Sequence, residues 1–577
     1  MGRCFARLAP AAAGLLLVSM ASAQSVAGYN PVLPPVSASQ NYALVAGAPS
    51  PGLTLFQPMF DGTARLLAND GTVVKSWPPA ANPGLMTYLL PNGNLLRTEV
   101  IGAGPGGGSG GRVLEVDEDG NTIWQFDYSS PDFLHHHDVE PLPNGNVLMI
   151  AWEFLAVAEA VGEGRDPALT TGARFSPDSV LEIQPDGMGG ATIVWQWRVM
   201  DHVVQDFDMN LPNFGVVADH PELVNLNFPA NATDDWNHVN AVDYNANLDQ
   251  VAISANFLSE IWIIDHSTTT AEAAGHTGGS SGKGGDVLYR WGNPQSYGAG
   301  LPTDQTLFRQ HDIQWIEDGR PGAGNFTVFN NGVGRPAGAF SSVDEWVSPV
   351  DAMGNYALTP GSAYGPAAAI WSYTDPVPTT FFSSIISGAE RLPNGNTLII
   401  NGVAGHMFEV TPGMQVIWEF LNPFGSPSWI FKARRYDYAC GTVPYCVAGA
   451  NSAGPGALID SSGSTSLAAN DFVLEVEGTP PGVSGLFFYG ETSIQAPFGD
   501  GFRCAGGMTH RMYPILSADG AGNVTRALDV TAPPANAGNG LISTGSTWNF
   551  QLWYRDMAGP GGTGFNTSDA LAVTFCQ

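Results

Sequence analysis

Residues 113–128, VLEVDEDGNTIWQFDY, have the pattern of a β-hairpin whose second strand carries a tryptophan. Alternating apolar and polar residues flank an Asp-Gly turn, as in short antiparallel hairpins. Tryptophan-bearing segments of the same kind recur at residues 64–77, 180–197, 286–294, 368–373 and 407–420. Pro-Asn-Gly-Asn turns join a second kind of hairpin at residues 88–98, 140–152 and 390–400. Two hairpins per unit make a four-stranded sheet, so six units predict an all-β, six-bladed β-propeller around a central channel.

The composition suits a turn-rich β protein of more than one domain. The chain has 577 residues with 71 Gly and 43 Pro, and only 13% of its residues are charged. We expect a polar arm over 24–45 and the propeller over 46–430. Three long insertions lie within it, at 154–179, 200–235 and 268–285. Each could either line a binding site or be a surface loop without a role in binding.

The last quarter of the chain has a different character. Residues 431–466 are predicted to be a linker, and short strands after it predict a small C-terminal β-sandwich over 467–577. Four cysteines lie in this quarter, and in an exported protein they are expected to pair in one of three ways. The pattern expected here is Cys440 with Cys446 and Cys504 with Cys576, a set of disulfide staples.

The N-terminus predicts export. Residues 1–23 carry Arg3 and Arg7, then an apolar run, then the small residues Ala21-Ser22-Ala23, which is typical of a secretory signal peptide. We therefore expect a periplasmic or secreted protein with no membrane-spanning segment. A formal net charge of −31 argues against nucleic-acid partners and against anionic membrane surfaces. No oligomeric state is predicted.

Histidines mark the predicted channel. His137, His238 and His311 fall at one position, the start of the innermost strand, in three successive blades. A second register places Arg335 of blade five and His406 of blade six at equivalent positions, just after the inner strand. Imidazoles and a guanidinium around one pocket suit an anionic, tetrahedral oxo-group. Each histidine could instead be structural, and three together could hold a metal.

Neighbouring polar residues have two open interpretations. Asp138 and Asp312 directly follow two of the histidines, so each is either a carboxylate that orients a ring or a plain strand residue. Strand alternation favours the second interpretation. His135 and His136 are expected to be loop residues.

At these residues the chain resembles the arylsulfate sulfotransferases, bacterial enzymes that need no nucleotide sulfate donor. The motifs that carry the resemblance are WNHVNAVDYN, IDHSTTTAEAAGHTGGSSGKGGDVLYRWGNP, FRQHDIQWI, FTVFNNGVGRP and SGAERLPNGNTLIINGVAGHMFEV. The resemblance covers about residues 40–430. It implies a six-bladed propeller that moves a sulfuryl group from an aryl sulfate donor to a phenolic acceptor through a sulfohistidine.

The resemblance also implies residue roles. His238 in WNHVN and His311 in QHD would bind the sulfate, as would Arg335 in NNGVGRP. His406 would be the nucleophile, and a neighbouring protonated histidine would supply a proton to the leaving oxygen. We add His137 and Asn331 as substrate-binding residues, and expect neither a cofactor nor a metal.

Two other function classes remain open at this point. One is a non-catalytic secreted propeller that binds an anionic or polymeric ligand, and the other is a metal-dependent hydrolase that uses the three histidines.

Overall fold

A computed structural model describes residues 36–37, 42–44, 49–78, 82–117, 119–230, 233–436, 441–467, 469–543 and 546–575. The predicted signal peptide over 1–23, Cys440 and Cys576 lie outside these ranges. Within them the chain is mostly β, and no helix has the length and apolar character needed to span a bilayer.

Six antiparallel sheets follow one another along residues 36–436. We number them in chain order and give their strands from the innermost outwards. Sheet 1 contains Ile430–Tyr436, Leu53–Pro58, Ala64–Ala68, Thr72–Trp77 and Val36–Ser37. Sheet 2 contains Pro83–Leu89, Leu95–Val100, Gly111–Val116 and Thr122–Asp127. Sheet 3 contains Phe133–Pro141, Val147–Glu153, Asp178–Pro185 and Ala191–Arg198.

The other three sheets are built in the same way. Sheet 4 contains Val239–Asn245, Gln250–Ala255, Glu260–Asp265 and Tyr289–Trp291. Sheet 5 contains His311–Trp315, Phe326–Asn330, Ser342–Trp346 and Trp371–Tyr373. Sheet 6 contains Gly388–Arg391, Thr397–Asn401, His406–Val410, Val416–Leu421 and Tyr42–Leu44.

The innermost strand of sheet 1 comes from the far end of this region. Ile430–Tyr436 pairs with Leu53–Pro58, so the boundary predicted between the propeller at 430 and the linker at 431 is wrong. Each innermost strand contacts that of the next sheet, and Gly388–Arg391 of sheet 6 contacts Ile430–Tyr436 of sheet 1. Each of the six innermost strands therefore contacts the innermost strand of the sheet before it and of the sheet after it, and sheet 6 is followed by sheet 1.

The recurring tryptophans tie neighbouring sheets together. Trp77 of sheet 1 donates its indole N–H to the carbonyl of Asp117, 3.2 Å away in the last hairpin of sheet 2. Trp371 of sheet 5 does the same to Pro412 of sheet 6, and Trp418 of sheet 6 to Asn69 of sheet 1. A buried indole needs a hydrogen-bond acceptor, and the next sheet supplies it. This explains why a tryptophan recurs at the end of several units, although Trp124 of sheet 2 donates to Glu115 of its own sheet.

The innermost strands are irregular where they begin. Sheets 3, 4 and 5 each show a register shift of the bulge type in the first residues of this strand. His137 and His238 have φ values of 51° and 47°, in the left-handed region that non-glycine residues seldom adopt. Bulges of this kind redirect side chains and are frequent beside active sites.

Short helices and small two-stranded sheets occur in the insertions and connections. The α-helices are Val157–Gly162 and Thr270–Ala273. The 3-10 helices are Pro167–Leu169, Val199–His202, Val217–Asp219, Asn256–Leu258, Pro294–Tyr297, Pro302–Asp304, Pro378–Thr380 and Gly538–Gly540. The small sheets pair Leu155–Ala156 with Arg174–Phe175 and Val203–Val204 with Val224–Asn225.

The C-terminal region contains two further sheets that share one apolar core. The larger contains Gly441–Tyr445, Ala570–Thr574, Thr547–Asp556, Ser484–Phe498, Gly501–Arg511, Leu516–Ser517 and Gly564–Thr567. The smaller contains Leu458–Ser462, Val473–Glu477 and Val524–Ala527. Strands therefore also occupy parts of the range 431–466 that was predicted to be a linker.

The disulfide expectation is corrected here. Cys446 is bonded to Cys504, which excludes both predicted pairs. Cys446 directly follows the edge strand Gly441–Tyr445, and Tyr445 donates its hydroxyl to the carbonyl of Cys504. The fold of the larger sheet, rather than closeness in sequence, brings these two cysteines together.

Candidate active site

Three of the predicted histidines meet at the start of the innermost strands. The rings of His137 and His238 are 4.6 Å apart, and those of His137 and His311 lie 6.1 and 6.4 Å from the ring of Phe431. None of the three histidines is more than 8% exposed. Their positions are not identical in register, because His311 itself pairs with Phe329 whereas His238 precedes the first paired residue of its strand.

His238 is held by a carboxylate. Its Nδ1 lies 2.5 Å from Oδ2 of Asp235, whose other oxygen accepts the indole N–H of Trp152 at 3.0 Å. The ring also stacks on Phe257, with centroids 4.5 Å apart. Because Nδ1–H donates to the carboxylate, Nε2 of a neutral His238 carries the lone pair. No residue in the described ranges hydrogen-bonds to that Nε2.

His137 ends a second chain of hydrogen bonds. Its Nδ1 lies 2.7 Å from Nδ1 of His136, and Nε2 of His136 lies 2.7 Å from Oδ1 of Asp178. His136 is completely buried and belongs to the innermost strand, as does the buried His135, so the expectation that both are loop residues is wrong. No sequence pattern marked Asp178, which comes from the third strand of sheet 3.

Burial determines the protonation of the hydrogen-bonded series Asp178–His136–His137. It lowers the pKa of His136 and of His137 well below the usual value, with the neighbouring histidines adding to the effect on His137. Burial also raises the pKa of Asp178 well above the usual value, and the nearby Asp235 adds to this. His137 is therefore neutral at ordinary pH, and one proton can reside on either the carboxyl or a ring nitrogen along the chain.

His311 uses both ring nitrogens within the protein. Nδ1 lies 2.8 Å from Oδ1 of Asn331, and Nε2 accepts the backbone N–H of Ile386 at 3.1 Å. Asn331 donates in turn to the carbonyls of Ser383 and Ile386. Burial is the main reason why the pKa of His311 is lowered to about 4. These contacts fasten the segment that leads into sheet 6, and they leave His311 without a lone pair for a metal shared with His137 and His238.

Within the described ranges no hydrogen bond or ring contact joins the other two predicted residues, His406 and Arg335, to the three histidines. His406 begins the third strand of sheet 6, is paired with Glu419 at 3.1 Å and stacks on Phe408. Arg335 lies in the loop of sheet 5, above the ring of Phe340, and donates to Ser342. Their predicted equivalence is wrong, because pairing places Ser342 opposite Asn330 just as His406 lies opposite Asn401.

A different arginine lies beside the histidines. The guanidinium of Arg309 lies 4.2 Å from the centre of Phe257, the ring on which His238 also stacks. Burial lowers the pKa of Arg309, and Asp235 opposes this shift. Within the described ranges its side chain makes no hydrogen bond or ion pair. Its place in FRQHD, two residues before His311, was the only signal in the sequence.

A glycine-rich loop covers the histidines. Residues 101–110, IGAGPGGGSG, connect the strands Leu95–Val100 and Gly111–Val116 of sheet 2. A side chain at Gly108 would clash with the ring of His137, and one at Gly106 would clash with the carboxylate of Asp235. The backbone approaches this closely only because these residues have no Cβ.

Buried ion pairs form the floor of the site. Lys432 lies 2.7 Å from Asp138 and 3.2 Å from Asp312, and Arg434 lies 2.7 Å from Asp312. Burial would raise the pKa of Asp312, but Arg434 and Lys432 outweigh it and leave the pKa lowered. Asp138 and Asp312 also accept backbone N–H groups from the sheets beside them. Both aspartates therefore link innermost strands of different sheets, and their two basic partners come from the range predicted to be a linker.

Comparison with solved structures returns remote similarities. A protein of unknown function from Bacteroides caccae is 11% identical, with a TM-score of 0.36, over 67% of this chain and 98% of that one. Virginiamycin B lyase from Staphylococcus aureus is 10% identical, with a TM-score of 0.33, over 67% of this chain and 89% of that one. Similarities at this level carry no argument about function. No curated protein matches the chain significantly.

A family model gives a decisive match. The model described as Arylsulfotransferase (ASST) matches residues 89–420, which include sheets 3, 4 and 5 and the histidine cluster. Members of this family are periplasmic enzymes that use an aryl sulfate donor and a phenol acceptor. The chain belongs to the arylsulfotransferase family, and it is an arylsulfotransferase enzyme.

Proposed function

We propose that this arylsulfotransferase transfers the sulfuryl group through a covalent intermediate on His238. The observation that supports this assignment is the short pairing of His238 with Asp235, which leaves Nε2 of a neutral imidazole with a free lone pair. His406, the nucleophile that the resemblance implies, has its own Nε2 engaged by Glu419. Within the described ranges Nδ1 of His406 has no hydrogen-bond partner, so the two histidines are rival nucleophiles. The buried position of His238 beside His137, together with its pairing to Asp235, favours His238.

The first half-reaction forms one bond and breaks one. Nε2 of His238 attacks sulfur in line with the aryl oxygen, the sulfur–oxygen bond breaks, and the aryloxide leaves with the electron pair. Asp235 stabilises the cationic character that develops on the ring. In the second half-reaction the acceptor phenol attacks sulfur, gives up its proton, and releases the imidazole. This order predicts ping-pong kinetics.

Arg309 supplies the charge that the sulfate requires. A guanidinium without an internal partner offers a planar fork to two sulfate oxygens. The ring of Phe257 contacts both Arg309 and His238, which keeps the guanidinium in the neighbourhood of the proposed nucleophile. Backbone N–H groups around Gly106 and Gly108 are additional donors close to both histidines. This assignment replaces the sulfate-binding roles that the sequence predicted for Arg335, His311 and Asn331.

The Asp178–His136–His137 chain handles the proton. With its pKa lowered by burial, His137 does not act as a protonated acid, contrary to the sequence-based mechanism. Instead, Nε2–H of His137 protonates the leaving oxygen, His137 takes a proton from His136, and His136 takes one from the carboxyl of Asp178. The second half-reaction returns the acceptor's proton along the same path. One proton is thus stored on the enzyme and restored in each cycle.

Three broader proposals complete this account. The contacts among the innermost strands support a closed six-bladed propeller, which would gather the three histidines at one end of its channel. The two C-terminal sheets with their common core support a β-sandwich. The N-terminal pattern of residues 1–23 and the disulfide between Cys446 and Cys504 support export to the periplasm or beyond.

The test uses purified mature protein with p-nitrophenyl sulfate, with and without phenol, in the presence of a chelator. We expect nitrophenolate release that depends on phenol. Release that is independent of phenol would indicate a hydrolase, and saturable binding without any release would indicate a non-catalytic propeller; either result would contradict the proposal.

A further inference from the structure

A second cluster of ionisable residues lies away from the sulfuryl site. His202 ends the 3-10 helix Val199–His202 after the last strand of sheet 3. His276 and Asp286 lie in the connection between the last two strands of sheet 4, after the helix Thr270–Ala273. These residues belong to or adjoin two of the insertions identified in the sequence. The cluster therefore joins parts of the chain that extend from neighbouring sheets.

The donor atoms of this cluster converge. Nδ1 of His202 lies 2.9 Å from Oδ1 of Asp286, and Nδ1 of His276 lies 2.7 Å from the same oxygen. One ligand atom from each residue lies within 4.8 Å of the other two. Two imidazole nitrogens and a carboxylate oxygen are a ligand set that Zn²⁺ commonly uses with a water in the fourth position.

The hydrogen bonding of His202 is an independent observation. Its Nε2 lies 2.7 Å from the carbonyl oxygen of Ala273, which can only accept, so Nε2 carries the proton. In the neutral ring Nδ1 then holds a lone pair, and that lone pair points at a carboxylate oxygen. A cation between these two acceptors removes the conflict. Donation of the remote N–H to a carbonyl is also how metal-bound histidines are usually oriented.

The surroundings make the cluster rigid on one side and open on the other. The His202 side chain is fully buried and its ring is parallel to that of Trp197, which donates to the carbonyl of Gly285 at 2.7 Å. The side chain of Asp286 is 9% exposed, whereas that of His276 is 60% exposed. Asp201 interacts electrostatically with both histidines and adds negative charge nearby. A metal ion can enter from the His276 side without rearrangement of the buried residues.

We propose that His202, His276 and Asp286 form a binding site for a divalent transition-metal ion, with Zn²⁺ the best match to the donor set. The ion would fasten the connection within sheet 4 to the end of sheet 3. The site is separate from the Asp235–His238 pair, and its role is structural. Nitrogen donors favour Zn²⁺ over Mg²⁺ and Ca²⁺, which prefer oxygen.

The test is calorimetric titration of Zn²⁺ into the purified mature protein after removal of metal with a chelator. We expect one equivalent to bind, together with a rise in Tm, since a ligand that binds the folded state stabilises it. His276→Ala should weaken binding by at least about tenfold and abolish the rise in Tm. Because His276 is exposed, this variant should keep the wild-type fold and the sulfotransferase activity. Mg²⁺ is the comparison ion and should not bind.

A matched control comes from another histidine of the insertions. The side chain of His220 is 42% exposed and pairs with Glu222 at 3.0 Å outside the cluster, so His220→Ala should bind Zn²⁺ like the wild type. Asp286→Asn provides the second variant and should also lose the site. Absence of Zn²⁺ binding, or equal binding by wild type and His276→Ala, would overturn the proposal and leave a charged histidine–aspartate pair as the explanation of the cluster.

Discussion

His238 and His406 are both paired with a carboxylate, yet their surroundings differ. His238 lies 2.5 Å from Asp235 at the start of an innermost strand, and both side chains are at most 10% exposed. His406 lies 3.1 Å from Glu419 on the third and fourth strands of sheet 6, with side-chain exposures of 26% and 33%. A buried histidine–carboxylate pair beside other ionisable groups can direct chemistry, whereas a half-buried pair is partly screened by water.

The comparison shows why a motif alone does not locate a nucleophile. Both histidines stand in segments that resemble the family. Only His238 combines an oriented ring, a free Nε2 and a neighbouring guanidinium.

The largest effect is expected from His238→Ala. Removal of the proposed nucleophile should lower kcat by about 10³-fold or more, because no covalent intermediate can form. His406→Ala should keep kcat within about twofold. Both variants are measured with p-nitrophenyl sulfate and phenol. The opposite ranking would assign the nucleophile to His406.

Asp235→Asn should have the next largest effect. The amide preserves the shape of the carboxylate but neither fixes the tautomer of His238 nor stabilises positive charge, so kcat should fall by about 10²-fold. KM should change little, and thermal melting should check that the variant is folded. An unchanged kcat would mean that Asp235 serves only to hold Trp152.

Arg309→Ala should reduce kcat/KM by about 10- to 100-fold, the usual loss for charged hydrogen bonds to an anion. Arg335→Ala is the matched control and should stay within about threefold, because Arg335 is engaged by Ser342 and Phe340. Steady-state kinetics on the two variants would contradict the account if Arg335→Ala were the more damaging change.

Asp178→Asn should act selectively on poor leaving groups. Without its carboxyl proton the relay to His137 fails, so the rate with phenyl sulfate should fall about tenfold more than the rate with p-nitrophenyl sulfate. Nitrophenolate needs little help from an acid, which makes it the internal control. Equal losses for both substrates would indicate that Asp178 has only a structural role.

The smallest effect concerns stability. Burial lowers the pKa of His311 to about 4 in the folded protein. As the pH falls, His311 therefore becomes protonated in the unfolded chain, near its ordinary pKa, at a higher pH than in the folded protein. Stability from this residue is complete above the ordinary pKa and falls by about 1.4 kcal/mol per pH unit as the pH drops from about 6.5 towards 4. Denaturant titrations at several pH values give the free energy of unfolding as a function of pH. This free energy should fall less steeply with decreasing pH for His311→Gln than for the wild type. An identical slope would contradict this assignment.

The sequence allowed the repeated sheets and part of the site to be predicted. Tryptophan spacing and Asn-Gly turns are local signals, so all six sheets were expected. His137, His238 and His311 were found because each stands where a recognisable strand begins. Their neighbours Asp178, Asp235 and Arg309 were missed, since none repeats between units and their proximity depends on bulges and left-handed residues that local patterns do not indicate.

Long-range pairing explains the remaining errors. Ile430–Tyr436 joins sheet 1 across almost 400 residues, and its sequence IFKARRY lacks a tryptophan or a turn of the repeated kind. Arg335 and His406 were aligned because the sequences around them are similar. The loop of sheet 5 is longer, however, so the residue of sheet 5 that is equivalent to His406 is Ser342, which pairs with Asn330. Cys446 was paired with its neighbour in sequence, whereas the larger C-terminal sheet brings it to Cys504.

The most direct test of the central claim is to trap the sulfated enzyme. Wild-type protein is mixed with p-nitrophenyl sulfate in the absence of phenol, quenched at alkaline pH, digested and analysed by mass spectrometry. The account predicts a sulfuryl group on the peptide that contains His238 and its absence in His238→Ala. A sulfuryl group on the peptide that contains His406 instead would contradict it.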